Sequence, residues 1–254
     1  MILIDTHAHL DDHKFDHDRA QVLERALAAE VHFVITVGTD LNSSRVAVAL
    51  ARHKATIYAT VGVHPHDAST LCPETLSELE CLAREERVVA IGEIGMDLYR
   101  NLSSPAAQKE AFIAQLELAR RLDKPVVIHD RDAHLETMTI LRQCGPEWHG
   151  VLHCFSGDEE MARKAIQMGF YISFAGPVTF ENARRLQSIA RLLPLERILI
   201  ETDCPYLTPH PYRGKRNEPA NVHWVAAKIA ALRGLPIERV AEATTRNAQQ
   251  LFGL

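Results

Sequence analysis

The 254-residue sequence predicts an α/β protein, and within that class a single-domain (β/α)8 or TIM barrel over residues 1–254 with an extra C-terminal helix. Three observations carry this reading. Short apolar runs alternate with helical stretches along the whole chain, eight times over. Each run is apolar throughout, as in parallel strands covered on both faces, not at every second residue. The length matches the ~250 residues typical of such a barrel, which favours closure over an open doubly wound sheet. No linker, composition shift or low-complexity stretch divides the chain.

In order, Ile2-Leu3-Ile4 enters a strand that runs into Asp5-Thr6-His7-Ala8-His9. Residues 16–30 put Val22, Leu23, Ala26 and Leu27 on one helical face, and a strand over 32–37 stops at Gly38. A helix over about 41–53 leads to a strand over 56–63. Pro73, with Glu74 and Glu78, opens the third helix, where proline and acidic residues are favoured. Strand four is read at 88–91, and helix four at 105–122 with Pro105 near its start. Strands then follow at 125–128, 150–152, 170–174 and 198–200, with helices at 135–142, 159–168 and about 180–191 between them. Two helices, about 218–233 and 236–252, close the chain.

Composition narrows the function classes. No run of about 18 apolar residues exists, so no membrane span is expected, and the N-terminus lacks the basic and apolar regions of a signal peptide. Cys72, Cys81, Cys144, Cys154 and Cys204 are odd in number and show no CxxC spacing, which points to free thiols in a reducing compartment, the cytoplasm. A net charge of −5 provides no global attraction to nucleic acid, so any polyanion must be held by a local cationic cluster or by metal ions.

The chemistry gathers just past the strands. Strand one ends in His7 and His9, strand three in His64-Pro65-His66, and strand four in Glu93 and Asp97. Strand five ends in His129-Asp130-Arg131, strand six in His153, and strand eight in Glu201-Thr202-Asp203. In a barrel these C-terminal ends meet on the face where active sites lie. Residues two apart on a strand share a face. That rule groups Leu3 and Asp5 with His7 and His9, Val89 and Ile91 with Glu93, Val127 with His129, Val151 with His153, and Leu199 with Asp203. Asp5 is then placed to orient one of the imidazoles.

Leaving four imidazoles and two carboxylates inward without partners would be costly. Two divalent cations explain His7, His9, Glu93, His129, His153 and Asp203 best. His7, His9 and Asp203 would hold one ion, His129 and His153 the other, and Glu93 would bridge. Cys204 beside Asp203 points away by strand parity.

These same blocks resemble the signatures of a known family. Asp5-Thr6-His7-Ala8-His9, Gly62-Val63-His64-Pro65-His66, Gly92-Glu93-Ile94-Gly95-Met96-Asp97, Ile128-His129-Asp130-Arg131-Asp132-Ala133 and His153-Cys154-Phe155-Ser156-Gly157 are similar to those of the TatD family. So are Glu201-Thr202-Asp203-Cys204-Pro205-Tyr206-Leu207 and Arg213-Gly214-Lys215-Arg216-Asn217-Glu218-Pro219, and the likeness reaches Asn247 and Leu251-Phe252. The departures are Cys204, where Ser or Ala is commoner, and Asp130, where Ser or Cys is commoner. The resemblance implies a metal-dependent deoxyribonuclease in an amidohydrolase-like barrel, often a 3′→5′ exonuclease on single-stranded DNA. It implies the same ligand set with Glu93 bridging, and activity supported by Mg. By ligand type alone, imidazole-rich sites suit Zn, Mn or Ni.

The expected reaction is hydrolysis of a phosphodiester by a metal-activated water, with Asp203 as general base or as ligand only. His64 reads as a phosphate contact or as a cap of its turn. Arg131 and Arg213 read as holding substrate phosphates, with Lys215 and Arg216 beside them. Asp97 and Glu201 read as structural supports. Two other readings stay open: an amidohydrolase acting on an amide, lactone or phosphotriester, and a metal-stabilised DNA-binding module without catalysis. The sequence leaves open RNA as a substrate and the oligomeric state.

Overall fold

The computed structural model describes residues 1–254 and holds eight parallel strands in the order β1 to β8. They are β1 (Leu3–Ala8), β2 (Val31–Val37), β3 (Ile57–Val61), β4 (Val88–Asp97), β5 (Val126–Arg131), β6 (Gly150–Leu152), β7 (Phe170–Phe174) and β8 (Ile198–Ile200). Between them run α1 (Arg19–Ala28), α2 (Leu41–His53), α3 (Pro73–Ala83), α4 (Pro105–Arg121), α5 (His134–Cys144), α6 (Glu159–Gln167) and α7 (Arg184–Leu192). After β8 come α8 (Val222–Arg233) and α9 (Ile237–Phe252). The barrel reading holds, and the order of elements is as the apolar pattern predicts.

Boundaries moved where turns of tighter helix intervene. Residues His13–Phe15, Gly176–Thr179 and Pro219–Asn221 form 3₁₀ turns, so α1, α7 and α8 start later than periodicity suggests. Conversely, β4 runs on to Asp97 and β5 to Arg131. Polar residues end an apolar pattern without ending a ladder, because backbone pairing continues through Gly95↔His129 to Asp97↔Arg131.

Two apolar layers sandwich the strands. The inner one draws on every strand: Ile4, Phe33 and Ile35, Tyr58, Val89 and Ala90, Val127, Val151, Tyr171 and Leu199. The last turn of α9 closes its floor with Ala248, Leu251 and Phe252. The outer layer packs Leu3, Ile91, Ile128 and their neighbours against the helices. Inward facing therefore runs from Val127 to His129, from Val151 to His153 and from Leu199 to Asp203, as parity requires.

Parity fails at the other two strands. Ile4, not Leu3, faces inward, and Ile91 faces the helices, not the cavity shared with Glu93. The register of β1 on β2 slips between Asp5 and Ala8, and that of β4 on β5 slips between Ile91 and Ile94. An extra residue in a ladder turns every later side chain over, so His7 and Glu93 are re-aimed into the barrel mouth.

The seam between β1 and the three-residue β8 is stitched past the end of β8. The Asp203 N–H donates to the His7 carbonyl at 2.9 Å and the His9 N–H to the Cys204 carbonyl at 2.8 Å. Thr6 Oγ1 donates to the Ile200 carbonyl at 3.0 Å. Asp5 is buried here and accepts from the Thr202 N–H at 2.8 Å and the Thr202 hydroxyl at 2.6 Å. It orients no imidazole. Its carboxylate bolts the two strands together, and burial raises its pKa to about 8.

Candidate metal centre

Glu93 sits at the middle of the barrel mouth, 3 % exposed, with five imidazoles around its carboxylate. Around Oε1 lie His129 Nδ1 at 2.7 Å, His153 Nε2 at 2.8 Å and His64 Nε2 at 3.4 Å. Around Oε2 lie His7 Nε2 at 3.3 Å and His9 Nε2 at 3.9 Å. Asp203 Oδ1 completes the group, 3.2 Å from His9 Nε2 and 3.7 Å from His7 Nε2. The six residues of the sequence-derived donor set, scattered from residue 7 to residue 203, are thus brought together, and His64 joins them.

The far side of each ring shows which nitrogen is free to face a cation. His9 Nδ1 donates to the Val37 carbonyl at 3.3 Å, His129 Nε2 lies 3.3 Å from Asp97 Oδ2, and His153 Nδ1 lies 3.3 Å from Glu201 Oε1. An N–H held outward on a carbonyl or carboxylate leaves the inward nitrogen its lone pair, the usual arrangement of metal-binding histidines. His64 is built the other way. Its Nδ1 accepts the His66 N–H at 3.1 Å, capping the turn after β3, so the proton resides on the inward Nε2. His64 therefore presents a donor to the cavity, not a lone pair.

The donor set fits divalent cations. Both ring nitrogens of His7 are buried without a hydrogen-bond partner, which a cation would resolve. Two groups of these residues have ligand atoms within 4.8 Å of one another, His7–His9–Glu93 and His7–His153–Asp203; a third, His64–Glu93–His129, includes the His64 Nε2 that carries the proton. Without a cation the carboxylates favour protons on His9, His129 and His153 instead, while burial lowers His7. Burial lowers the His9 pKa, but the Asp203 hydrogen bond and charge outweigh it and raise it to about 9. Burial opposes ionisation of Glu93, yet the surrounding imidazoles hold it well below the usual carboxylate range. Burial takes His64 down to about 4, which keeps it a neutral donor.

The supporting residues had weaker sequence signals. Glu201 Oε1 also accepts the Cys154 N–H at 2.6 Å, and Asp97 Oδ2 pairs with His66 Nε2 at 2.7 Å. Two buried glutamines of α4 hold the strand exits. Gln115 exchanges hydrogen bonds with the Val63 N–H and carbonyl, and Gln108 with those of Asp97. They are seven residues apart, in a stripe otherwise filled by Ala111, Phe112, Leu118 and Ala119. Amides repeating at helical period within an apolar face are a detectable sign.

The other predicted contacts lie at a strand end and on a loop of this same face. Arg131, at the end of β5, stacks over Tyr99 at 4.1 Å, and Arg213 stacks over Phe180 at 4.1 Å. Neither makes an ion pair with a protein carboxylate. Arg216 does, with Asp18 at 2.7 Å, so it serves the fold. Asp130 accepts from His134 at the start of α5, and Cys204 is fully buried in the seam, outside the donor groups.

The family model described as "TatD related DNase" matches residues 4–253. The chain belongs to the TatD family of metal-dependent hydrolases. Among its TatD-family relatives, the metal-dependent hydrolase YabD of Bacillus subtilis is 45 % identical, over 99 % of each chain. The 3′-5′ ssDNA/RNA exonuclease TatD of Citrobacter koseri is 40 % identical, again over 99 % of each. The crystal structure of YJJV, a TatD homologue from Escherichia coli K12, superposes with a TM-score of 0.94 at 32 % identity, covering 99 % of this chain and 98 % of that one.

Proposed function

We propose that this TatD-family hydrolase removes nucleotides from the 3′ end of single-stranded DNA by hydrolysing phosphodiester bonds, with two divalent cations in the barrel mouth. The observation that carries the proposal is the ring of imidazoles around Glu93, with His9 and His129 hydrogen-bonded outward so that a lone pair faces in, and His153 Nδ1 lying 3.3 Å from Glu201. His7, His9 and Asp203 would hold one ion, His129 and His153 the second, with Glu93 shared. Such ions lower the pKa of water and draw charge off phosphoryl oxygens. Imidazoles suit Zn, Mn or Ni, and the TatD likeness adds Mg.

The chain's own groups do the remaining work. Asp203, whose carboxylate burial would neutralise but His9 keeps ionised, accepts the proton of the attacking water. His64 Nε2–H donates to a phosphoryl oxygen. The guanidinium groups of Arg131 and Arg213 hold the flanking phosphates, which the net charge of −5 leaves to local cations. Polar partners behind His9 and His129 keep those rings from turning when substrate enters.

The name of the Citrobacter koseri relative supports a nucleic-acid substrate and keeps RNA beside DNA. The five cysteines stay unpaired, which supports a reducing compartment, the cytoplasm.

The test is degradation of end-labelled single-stranded DNA by metal-loaded wild type and by Asp203→Ala, alongside elemental analysis of the purified protein. Wild type should shorten the strand from its 3′ end and carry two equivalents of metal. Asp203→Ala should lose roughly 10²–10⁴-fold in rate, the usual range for a general base. Equal rates in both proteins would remove Asp203 from the mechanism. No cleavage by wild type, with turnover of a lactone, amide or phosphotriester, would replace the nuclease reading.

A further inference from the structure

Beyond the metal centre, the loop after β8 and the start of α8 border an open groove of about 640 Å³. Its walls carry Tyr212 and Trp224, ring centroids 5.9 Å apart, edge to face. Both are aromatic side chains left more than a third exposed, at 38 % and 37 %. In a fold that buries its other tryptophan, Trp148, such a pair is a surface waiting for a planar partner. Lys215 lies over Tyr212, its Nζ 5.5 Å from the ring centre, and makes no ion pair. The groove's acid, Glu218, is already neutralised by Arg25 at 2.6 Å.

The groove is joined to the metal centre by a continuous run of contacts. Tyr206 is 47 % exposed, its ring centroid 6.1 Å from that of His9. Lys14 Nζ lies 4.5 Å over the Tyr206 ring. The Lys14 carbonyl accepts from Arg216 at 2.6 Å, and Arg216 lines the groove with Lys215. Arg216 is paired with Asp18, so the free charge along this run is that of Lys14 and Lys215, each beside an aromatic face, and this matches what unpaired nucleic acid needs: rings for the bases and charge for the backbone.

We propose that Tyr212 and Trp224 form a base-stacking platform for the single strand upstream of the nucleotide being cleaved. Lys14 and Lys215 attend its phosphates along the path from His9. The proposal rests on the nuclease reading. It assigns the groove to single-stranded nucleic acid several nucleotides from the scissile bond, so it governs how strand length affects turnover, not the chemical step.

The experiment compares kcat/KM of the metal-loaded enzyme on a dinucleotide and on a ten-nucleotide single strand. In wild type the longer strand should be the better substrate. Trp224→Ala and Tyr212→Ala should each lose roughly five- to a hundred-fold on the long strand, the range for one stacked base, with the dinucleotide unaffected. Trp224→Phe should restore most of the preference, which a purely structural role for the side chain would not predict. Lys215→Ala should flatten the dependence of log kcat/KM on log salt by about 0.7 on the long strand only. Length preference unchanged in Trp224→Ala and Tyr212→Ala overturns the platform while leaving the nuclease reading intact. So does a wild type indifferent to length, or a Trp224→Ala whose only change is a dimer becoming a monomer. A wild type that cleaves neither substrate removes both readings together.

Discussion

At the scale of residues, the centre depends on how each imidazole is held from behind. Glu201 shows this best, because one of its oxygens faces both His153 Nδ1 and the Cys154 N–H. It fixes the backbone at the end of β6 by hydrogen bond and sets its charge 3.3 Å behind the ring. Glu201→Gln keeps the shape but offers a neutral acceptor, and its amide can present an N–H to His153 instead. We predict a fall of roughly 10–100-fold in metal affinity or activity, the usual effect of removing such a support. Competition with a chelating dye would measure the first, and strand degradation the second. His64, by contrast, has no carboxylate behind it, and its cap on the His66 N–H makes it a donor. Two histidines two residues apart, His64 and His66, thus have different duties that only their partners distinguish.

At the scale of elements, the vulnerable place is the seam. β8 is three residues long, so loops before α1 and before α8 share the load. Asp18 accepts from Arg216 at 2.7 Å and from Arg25 at 3.2 Å, and Arg25 reaches on to Glu218. The hydrogen bond from Arg216, joined by that from Arg25, outweighs the opposing desolvation and brings the Asp18 pKa down to about 2. A carboxylate with a depressed folded pKa stabilises above its unfolded value near 4, and that contribution disappears as pH falls towards 2. Thermal melts of wild type and Asp18→Asn should therefore differ at pH 6 and converge as pH approaches 2. The same change should loosen the loop carrying Arg213 before it unfolds the barrel, visible as faster amide exchange in 206–217.

At the scale of the whole molecule, the barrel has a floor and a mouth with opposite chemistry. The floor is built of apolar side chains from every strand, closed by Leu251 and Phe252 of α9. Phe252→Ala should cost about 3–5 kcal/mol, the range for emptying a buried aromatic site, read as a lower denaturant midpoint with the metal content of the folded fraction retained. The mouth carries buried carboxylates and imidazoles that only cations or protons satisfy. Stability contributed by the floor is what lets the mouth hold so many polar groups away from water.

By itself the sequence determined the alternation of strands and helices, the barrel, and the identities of the residues at the strand ends. Apolar runs and the polar residues that follow them are local facts, and local facts are written in order along the chain. Parity carried correctly through β5, β6 and β8, which carry no extra residue of their own; the slip between β4 and β5 falls on β4. Only the tertiary structure decided that Ile4 and not Leu3 faces inward, that Ile91 points away from Glu93, and that Asp5 clamps the seam. Each depends on where a neighbouring strand lets the register slip, and one residue of slip reverses every face beyond it. The groove at Tyr212 and Trp224 belongs to the same class, since exposure is set by what fails to cover a side chain, and no local pattern encodes that.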